Sequence, residues 1–213
     1  MTKTILCYGD SLTYGANPVL GGPRHAYEDR WPTALETTLQ GKVRCIAEGL
    51  GGRTTVHDDW YADADRNGAR ILPTILSSHD PLDMVIIMLG TNDMKPFHGR
   101  IALEASYGMR RLVDIVKGHY QGNPPEIIIV APPKIVATNI HPEMMVHFGN
   151  EAIEASASFA EMYQRRANEA GVGFFDASTV ATTSPLDGIH LDAANTRAIG
   201  VGLAPLVKEM LGL

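Results

Sequence analysis

Cysteine is scarce in this sequence: its 213 residues include two, Cys7 and Cys45. Two cysteines cannot build a disulfide-stapled scaffold. Both fall in apolar stretches that read as strands, so they are expected as buried free thiols of a reduced compartment. Positive charge is also short. Lys and Arg total 18 against 24 Asp and Glu, a net charge of −6, and no basic run occurs. A main role in binding nucleic acid needs a basic face and is disfavoured. No apolar run reaches the roughly 18 residues that a membrane span requires. Met1–Tyr8 holds one lysine and a short apolar stretch before Gly9 and Asp10. No secretory leader is therefore expected, and the chain reads as cytoplasmic. Without repeats, low-complexity tracts or linkers, residues 1–213 read as one domain.

Several ligand-binding signatures are missing too. The loop from Gly9 to Gly15 lacks the G-x-G-x-x-G spacing of a dinucleotide site, and there is no Walker A sequence. Ser11 is not in an α/β-hydrolase nucleophile elbow, because Thr13 stands where that motif needs glycine. The seven histidines other than His190 show no metal-ligand spacing. His57, Asp58, Asp59, Asp63 and Asp65 read as a solvated acidic loop rather than a cation site. No metal and no cofactor are expected. Trp60 and Tyr61, in the same stretch, suit either a sugar platform or packing against the core.

What is present is an alternation of short apolar runs with longer amphipathic stretches, the pattern of βαβ units. Strands are expected at Thr4–Tyr8, Val43–Ala47, Met84–Leu89, Glu126–Ala131 and Gly173–Phe175. The run Met84-Val-Ile-Ile-Met-Leu89 is apolar at every position, as in a parallel strand covered on both faces. Helices are expected at about Arg30–Gln40, Asn67–Ser77, Leu103–Gln121, Asn150–Ala170 and Ala193–Leu211. The fold class is α/β, an open parallel sheet of about five strands in a three-layer α/β/α arrangement.

In such sheets ligands bind beyond the carboxyl ends of the strands; three polar blocks follow strands there, and a fourth lies just before the last helix. Gly9-Asp10-Ser11-Leu12 follows the first strand. It offers an exposed hydroxyl beside backbone N–H groups, or a plain turn capped by Asp10 or Ser11. Gly51-Gly52 is either a flexible turn or a close-approach N–H donor. Gly90-Thr91-Asn92-Asp93 closes a turn or supplies the Asn92 amide to an oxyanion. Asp187-Gly188-Ile189-His190 can hold a histidine by its Nδ1 and free Nε2 as a base, or is a turn before a helix capped by Asp192. Each block alone is ambiguous. Together they supply a nucleophile, a base, a base-orienting carboxylate and oxyanion donors, the parts that an ester hydrolase needs.

Those four blocks resemble, in order and over nearly the whole chain, the SGNH or GDSL hydrolases. Ile5-Leu6-Cys7, Gly49-Leu50, Arg53-Thr54-Thr55, the Ile86–Asp93 run and Phe174-Phe175-Asp176-Ala177 look like the bacterial arylesterase and acyltransferase/perhydrolase branch. The resemblance implies a flavodoxin-like sheet, Ser11 as nucleophile and oxyanion donor, Gly52 N–H and the Asn92 amide as further donors, and Asp187 and His190 completing a triad. It further implies a small-molecule ester substrate, acyl transfer to alcohols or peroxide beside hydrolysis, and a homo-oligomer. One departure is Glu48, where the family often has Asn; a role in structuring the loop is expected for it. Deacetylation of sugars uses the same triad. A rival from another class is a flavin- or nucleotide-binding module at the same sheet edge.

The connection Lys134–Gly149 is long for an α/β loop. Its Ile135, Val136, Ile140, Met144, Met145, Val146 and Phe148 need burial. They are expected on the wall of the acyl pocket and against a neighbouring chain rather than in the core, which would restrict the acyl group to a short one.

Overall fold

In the computed structural model, which describes residues 2–138, 140 and 142–213, five strands form one parallel sheet. They are β1 (Lys3–Gly9), β2 (Val43–Gly49), β3 (Met84–Met88), β4 (Glu126–Ala131) and β5 (Gly173–Asp176). Their spatial order is β2-β1-β3-β4-β5. The chain steps from β1 to one side for β2, then returns past β1 to its other side for β3. Between β1 and β3 the connections leave in opposite directions and open a crevice at the carboxyl ends. Ser11 directly follows β1 and Asn92 follows β3, so both lie at this crevice.

The helices are α1 (Ser11–Tyr14), α2 (Trp31–Thr38), α3 (Gly68–His79), α4 (Ala102–His119), α5 (Pro142–Phe148), α6 (Glu151–Ser156), α7 (Phe159–Ala170) and α8 (Ala193–Leu211). The continuous apolar run of β3 explains why they cover both faces. Met84, Ile86 and Met88 pack with Trp31 and Leu35 of α2 and with Ile199, Leu203 and Val207 of α8. Val85 and Ile87 point the other way, into a cluster with Leu72 of α3, Met109 and Leu112 of α4 and Tyr163 of α7. All five β3 side chains are fully buried, each contributing about 1.5–3 kcal/mol relative to exposure.

The strand and terminal-helix expectations hold to within a residue or two, and the differences are informative. The helix expected over Asn150–Ala170 is two, because the chain turns at Ser156–Ser158. There the Ser156 hydroxyl accepts the Ile135 N–H at 2.9 Å and donates to the Ile153 carbonyl at 3.0 Å. A tertiary contact thus breaks a pattern that is continuous in sequence. The connection Lys134–Gly149 is not all loop, since α5 lies in it. Nor does it stay off the core: Ile135 and Phe148 are buried in the α4–α7 cluster and Met144 packs against its edge. The reason is that Ile135 lies only four residues past β4 and Phe148 comes back with the chain just before α6, so both reach inward. Ile140 and Val146 are exposed; the Met145 side chain is outside the described part. Packing of Trp60 and Tyr61 against the core is overturned, because they are 86% and 87% exposed. Their acidic loop is less solvated than expected: Arg70 pairs with Asp58 and Asp65, and Lys95 with Asp59. Cys7 and Cys45 are free, but only Cys7 is fully buried.

One close approach sets the site. A Cβ on Gly49 would lie 2.2 Å from the Tyr14 nitrogen and 2.6 Å from the Thr13 carbonyl carbon. The short helix carrying Ser11 therefore rests on the bare backbone at the end of β2. Gly49→Ala is expected to destabilise the fold by roughly 1–3 kcal/mol, as overpacking does, and to lower activity in the same protein. Gly118→Ala, in α4 with open space at its Cβ position, should instead gain about 0.5–1 kcal/mol. Urea denaturation of the two variants checks the pair; equal effects would contradict the packing argument.

Candidate active site

The turn after β1 begins with Asp10, whose Oδ1 accepts the Leu12 N–H at 2.9 Å and caps α1. Gly15, in the left-handed conformation, ends the helix after one turn. Both sequence readings of the block are thus true at once: Asp10 is the cap and Ser11 presents its hydroxyl. That hydroxyl lies 3.0 Å from His190 Nε2.

His190 is held by a compact loop. Asp187 Oδ1 accepts the N–H groups of Ile189 at 3.0 Å and of His190 at 2.9 Å, and its Oδ2 lies 2.6 Å from His190 Nδ1. The segment after β4 supports this loop: Val136 N–H donates to the Gly188 carbonyl at 3.0 Å and the Thr138 hydroxyl to the Leu186 carbonyl at 2.8 Å. Burial pushes the Asp187 carboxyl up, but the hydrogen bond and charge of His190 and the two backbone N–H groups outweigh it, leaving it below the usual carboxylate range. An ionised carboxylate only accepts, so Nδ1 carries the ring hydrogen. In the neutral ring Nε2 is then an acceptor and Ser11 O–H donates to it. Asp192 caps α8 through the Asn195 N–H at 2.8 Å, as the sequence suggested.

Gly51 and Gly52 form the middle of a turn closed by Arg53 N–H to the Leu50 carbonyl at 3.0 Å. Gly52 sits third in that turn with φ +83°, where a type II turn requires glycine. Among the described residues the Gly52 N–H has no acceptor, and both glycines line one cavity with Ser11, Asn92 and His190.

Asn92 is buried, and its Nδ2 lies 3.3 Å from Asp10 Oδ2 and 3.2 Å from the Arg53 carbonyl. Both contacts are at the long end of the hydrogen-bond range, so this amide is held in place by weak partners that a stronger acceptor could displace.

Three groups beside the site carry no obvious chemistry in the sequence. Asp10 is 1% exposed; desolvation pushes its carboxyl up to about 6, against the Leu12 N–H and the charges of His190 and Arg53. Asp93 is likewise pushed up to about 6 by burial, against hydrogen bonds from the Thr55 hydroxyl and N–H. Arg53 is buried over the Tyr8 ring at 4.2 Å and donates to the carbonyls of Gly9, at 2.8 Å, and Glu48. Its signals were its place after Gly51-Gly52 and the likeness of Arg53-Thr54-Thr55 to the arylesterase branch. Glu48 does structure the loop, through that carbonyl and a 2.8 Å contact of its carboxylate with His79 Nε2.

Two cavities flank the Ser11–His190 pair. One, of about 320 Å³, is lined by Ser11, Gly52, Asn92, Lys95, Phe148 and His190. The other, of about 310 Å³, is lined by His190 and Asp187 together with the Tyr14–Arg24 loop. Met144 borders both. The second cavity was not foreseen, since its loop holds no residue of a catalytic type. The only trace is Val19-Leu20, exposed apolar residues between Pro18 and Gly21-Gly22. Among the described residues no group of three or more His, Cys, Asp or Glu is arranged to hold a metal.

Known proteins show the same architecture. A structure of a carbohydrate acetylesterase family member from Sinorhizobium meliloti is 50% identical, with a TM-score of 0.95 and all of both chains covered. The Sinorhizobium meliloti carbohydrate acetylesterase Est24 and the M. smegmatis aryl esterase are each 39% identical with a TM-score of 0.91, over 98% of this chain and 100% of theirs. A search of curated protein sequences found no match. Residues 7–198 match the GDSL-like lipase/acylhydrolase family. The chain belongs to that family, and it is a carboxylic ester hydrolase.

Proposed function

We propose that this enzyme hydrolyses short-chain aryl or alkyl esters through an acyl-enzyme on Ser11. The observation that carries the reading is the unbroken chain from Asp187 through His190 to the Ser11 hydroxyl, at 2.6 and 3.0 Å. Family membership removes the rival of a flavin- or nucleotide-binding module. In the proposed mechanism Ser11 Oγ attacks the acyl carbon as His190 Nε2 takes its proton. Asp187 holds the ring and stabilises the imidazolium. The oxyanion sits among the N–H groups of Ser11 and Gly52 and the Asn92 amide, which gives up its long contact with Asp10 for a charged acceptor. His190 then protonates the departing alcohol. Water, deprotonated by His190, attacks the acyl carbon and releases the acid and the Ser11 hydroxyl.

The size of the cavity around Ser11 supports a short acyl group. About 320 Å³ is at the low end for a ligand pocket, and the core-anchored Phe148 forms part of its wall. An alcohol or peroxide taking the place of water would give acyl transfer. The relatives of 39–50% identity described as carbohydrate acetylesterases favour a second reading, in which the leaving alcohol is a sugar. No described helix is long and apolar enough to cross a membrane. A cytoplasmic, homo-oligomeric enzyme remains part of the proposal.

Ser11→Ala should abolish hydrolysis of 4-nitrophenyl acetate while circular dichroism and the melting profile stay unchanged, and a fluorophosphonate should label Ser11 alone. Rates should fall steeply from acetate to longer nitrophenyl esters; a rise with chain length would remove the short-acyl assignment.

Asn92→Ala is expected to lower kcat by about 10²–10³ with little change in KM. A rise in KM alone would mean that Asn92 binds ground-state substrate.

Because Asp187 is held below the usual carboxylate range, it stays ionised down to about pH 5. Loss of activity as pH falls toward that value therefore does not come from protonation of Asp187. Asp187→Asn should cut turnover at every pH in this range, by up to about 10⁴-fold. A variant matching wild type above neutrality would show that Asp187 is not needed to orient the ring.

A further inference from the structure

The second cavity has a use that follows from the direction of proton transfer. This inference rests on the proposed esterase reading. The oxyanion groups Gly52 and Asn92 line the cavity that also contains Ser11, so the acyl chain lies there. His190 Nε2 must pass its proton to the leaving oxygen, so the leaving group departs past His190, the residue that both cavities share. The second cavity contains His190 and Asp187 but neither Ser11 nor the oxyanion groups.

The walls of this cavity are built rather than incidental. Its loop is tied at the base by His25 N–H to the Gly15 carbonyl at 2.9 Å, and by His25 Nε2, 2.8 Å from the carbonyl of Leu191 beside the catalytic histidine. Within the loop, Val19 N–H donates to Asn17 Oδ1 at 2.9 Å and Gly22 N–H to the Val19 carbonyl at 2.8 Å. Tyr14, Pro18, Val19, Leu20 and Met144 present mostly apolar surface, which suits a flat ring better than a polyhydroxylated sugar.

Arg24 adds charge to this apolar slot. Its guanidinium lies over the Tyr14 ring at 3.8 Å, and its Nε donates to the Tyr14 carbonyl at 2.5 Å. The anchor uses only Nε, so both terminal nitrogens remain for a ligand. In a chain of net charge −6, Arg24 makes no ion pair with any described carboxylate. Planar fork donors of this kind match a carboxylate in two parallel hydrogen bonds.

We infer that this second cavity is a leaving-group site for phenolic alcohols bearing an anionic carboxylate, with Arg24 as the specificity-determining residue. The contact is remote from the reacting carbon and alike in ground and transition states, so it acts mainly on KM. Arg24 is exposed, which keeps the effect modest and makes it sensitive to salt.

The test compares 4-acetoxybenzoate with its neutral methyl ester, in wild type, Arg24→Gln and Arg24→Lys, at low and high ionic strength. Intrinsic reactivities of the two esters cancel when the ratio of their kcat/KM values is compared between proteins. The expected result is a fall in the anionic-to-neutral ratio of about two- to fivefold in Arg24→Gln, carried by KM, partly restored in Arg24→Lys, and diminished in wild type by salt. An unchanged ratio with both esters still hydrolysed would overturn the inference and leave the esterase reading standing. An equal loss on both esters would overturn it too, showing that Arg24 only holds the loop. A wild type that cleaves neither ester would sink the esterase reading and this inference together.

Discussion

Ser11 can meet His190 only if the chain, on leaving β1, turns back over the sheet edge within one helical turn. The space for that turn is made by the absence of side chains, because Gly49 lets the backbone of Thr13 and Tyr14 lie directly on the end of β2. Asp10 supplies the cap that starts the turn and Gly15 the left-handed residue that ends it. Once α1 is fixed there, the strand order does the rest: the crevice between β1 and β3 receives Asn92 from one connection, while Gly51-Gly52 follows β2 on the other flank. The histidine loop arrives from the far end of the chain and is braced by the segment that follows β4.

Three buried carboxylates stand around this crevice in three different environments. Asp187 accepts from a ring and two peptide groups and stays charged. Asp10 and Asp93 have fewer compensating donors for their depth and are pushed up to about 6. For a carboxyl raised in the folded state, the sign of the linkage is reversed from the usual acidic side chain: ionising it above that value costs folding free energy, which is regained as pH falls toward the unfolded value. The fold tolerates this because both groups organise the site, Asp10 by holding α1 and the Asn92 amide, Asp93 by tying Thr55 to the β3 connection.

How much was legible in the sequence depended on how local the cause was. The strands were readable because burial on both faces leaves an unbroken apolar run; Ser11, Gly52, Asn92, Asp187 and His190 lie in short motifs that were ambiguous one by one, and their expected roles came from the resemblance of the four blocks together to the SGNH hydrolases. The break between α6 and α7 was not readable, since the Ser156 hydroxyl causes it by reaching a segment twenty-one residues away. Ile135 was not placed correctly for a similar reason: the connection dips into the core at both ends, so that Phe148 lines the Ser11 cavity as expected and is anchored in the core as well. The exposure of Trp60 and Tyr61 and the cavity beside Tyr14–Arg24 depend on loop paths that leave no periodic trace.

The hydrogen bond between Ser11 and His190 joins residues 179 positions apart, so the active centre is among the last things the chain can finish. Ser11 leaves the ribosome early, on the first strand and its turn, yet His190, its proposed base, is not beside it until the segment before α8 has been made and docked. Closing so large a loop costs only slightly more entropy than closing one half as long. But it requires β1 to β4 to be in place, since α1 rests on the end of β2 and the histidine loop is braced by the segment after β4. Under the proposed mechanism a chain that has folded most of its sheet is therefore still inert, and the onset of ester cleavage marks completion of the entire topology rather than of any single part.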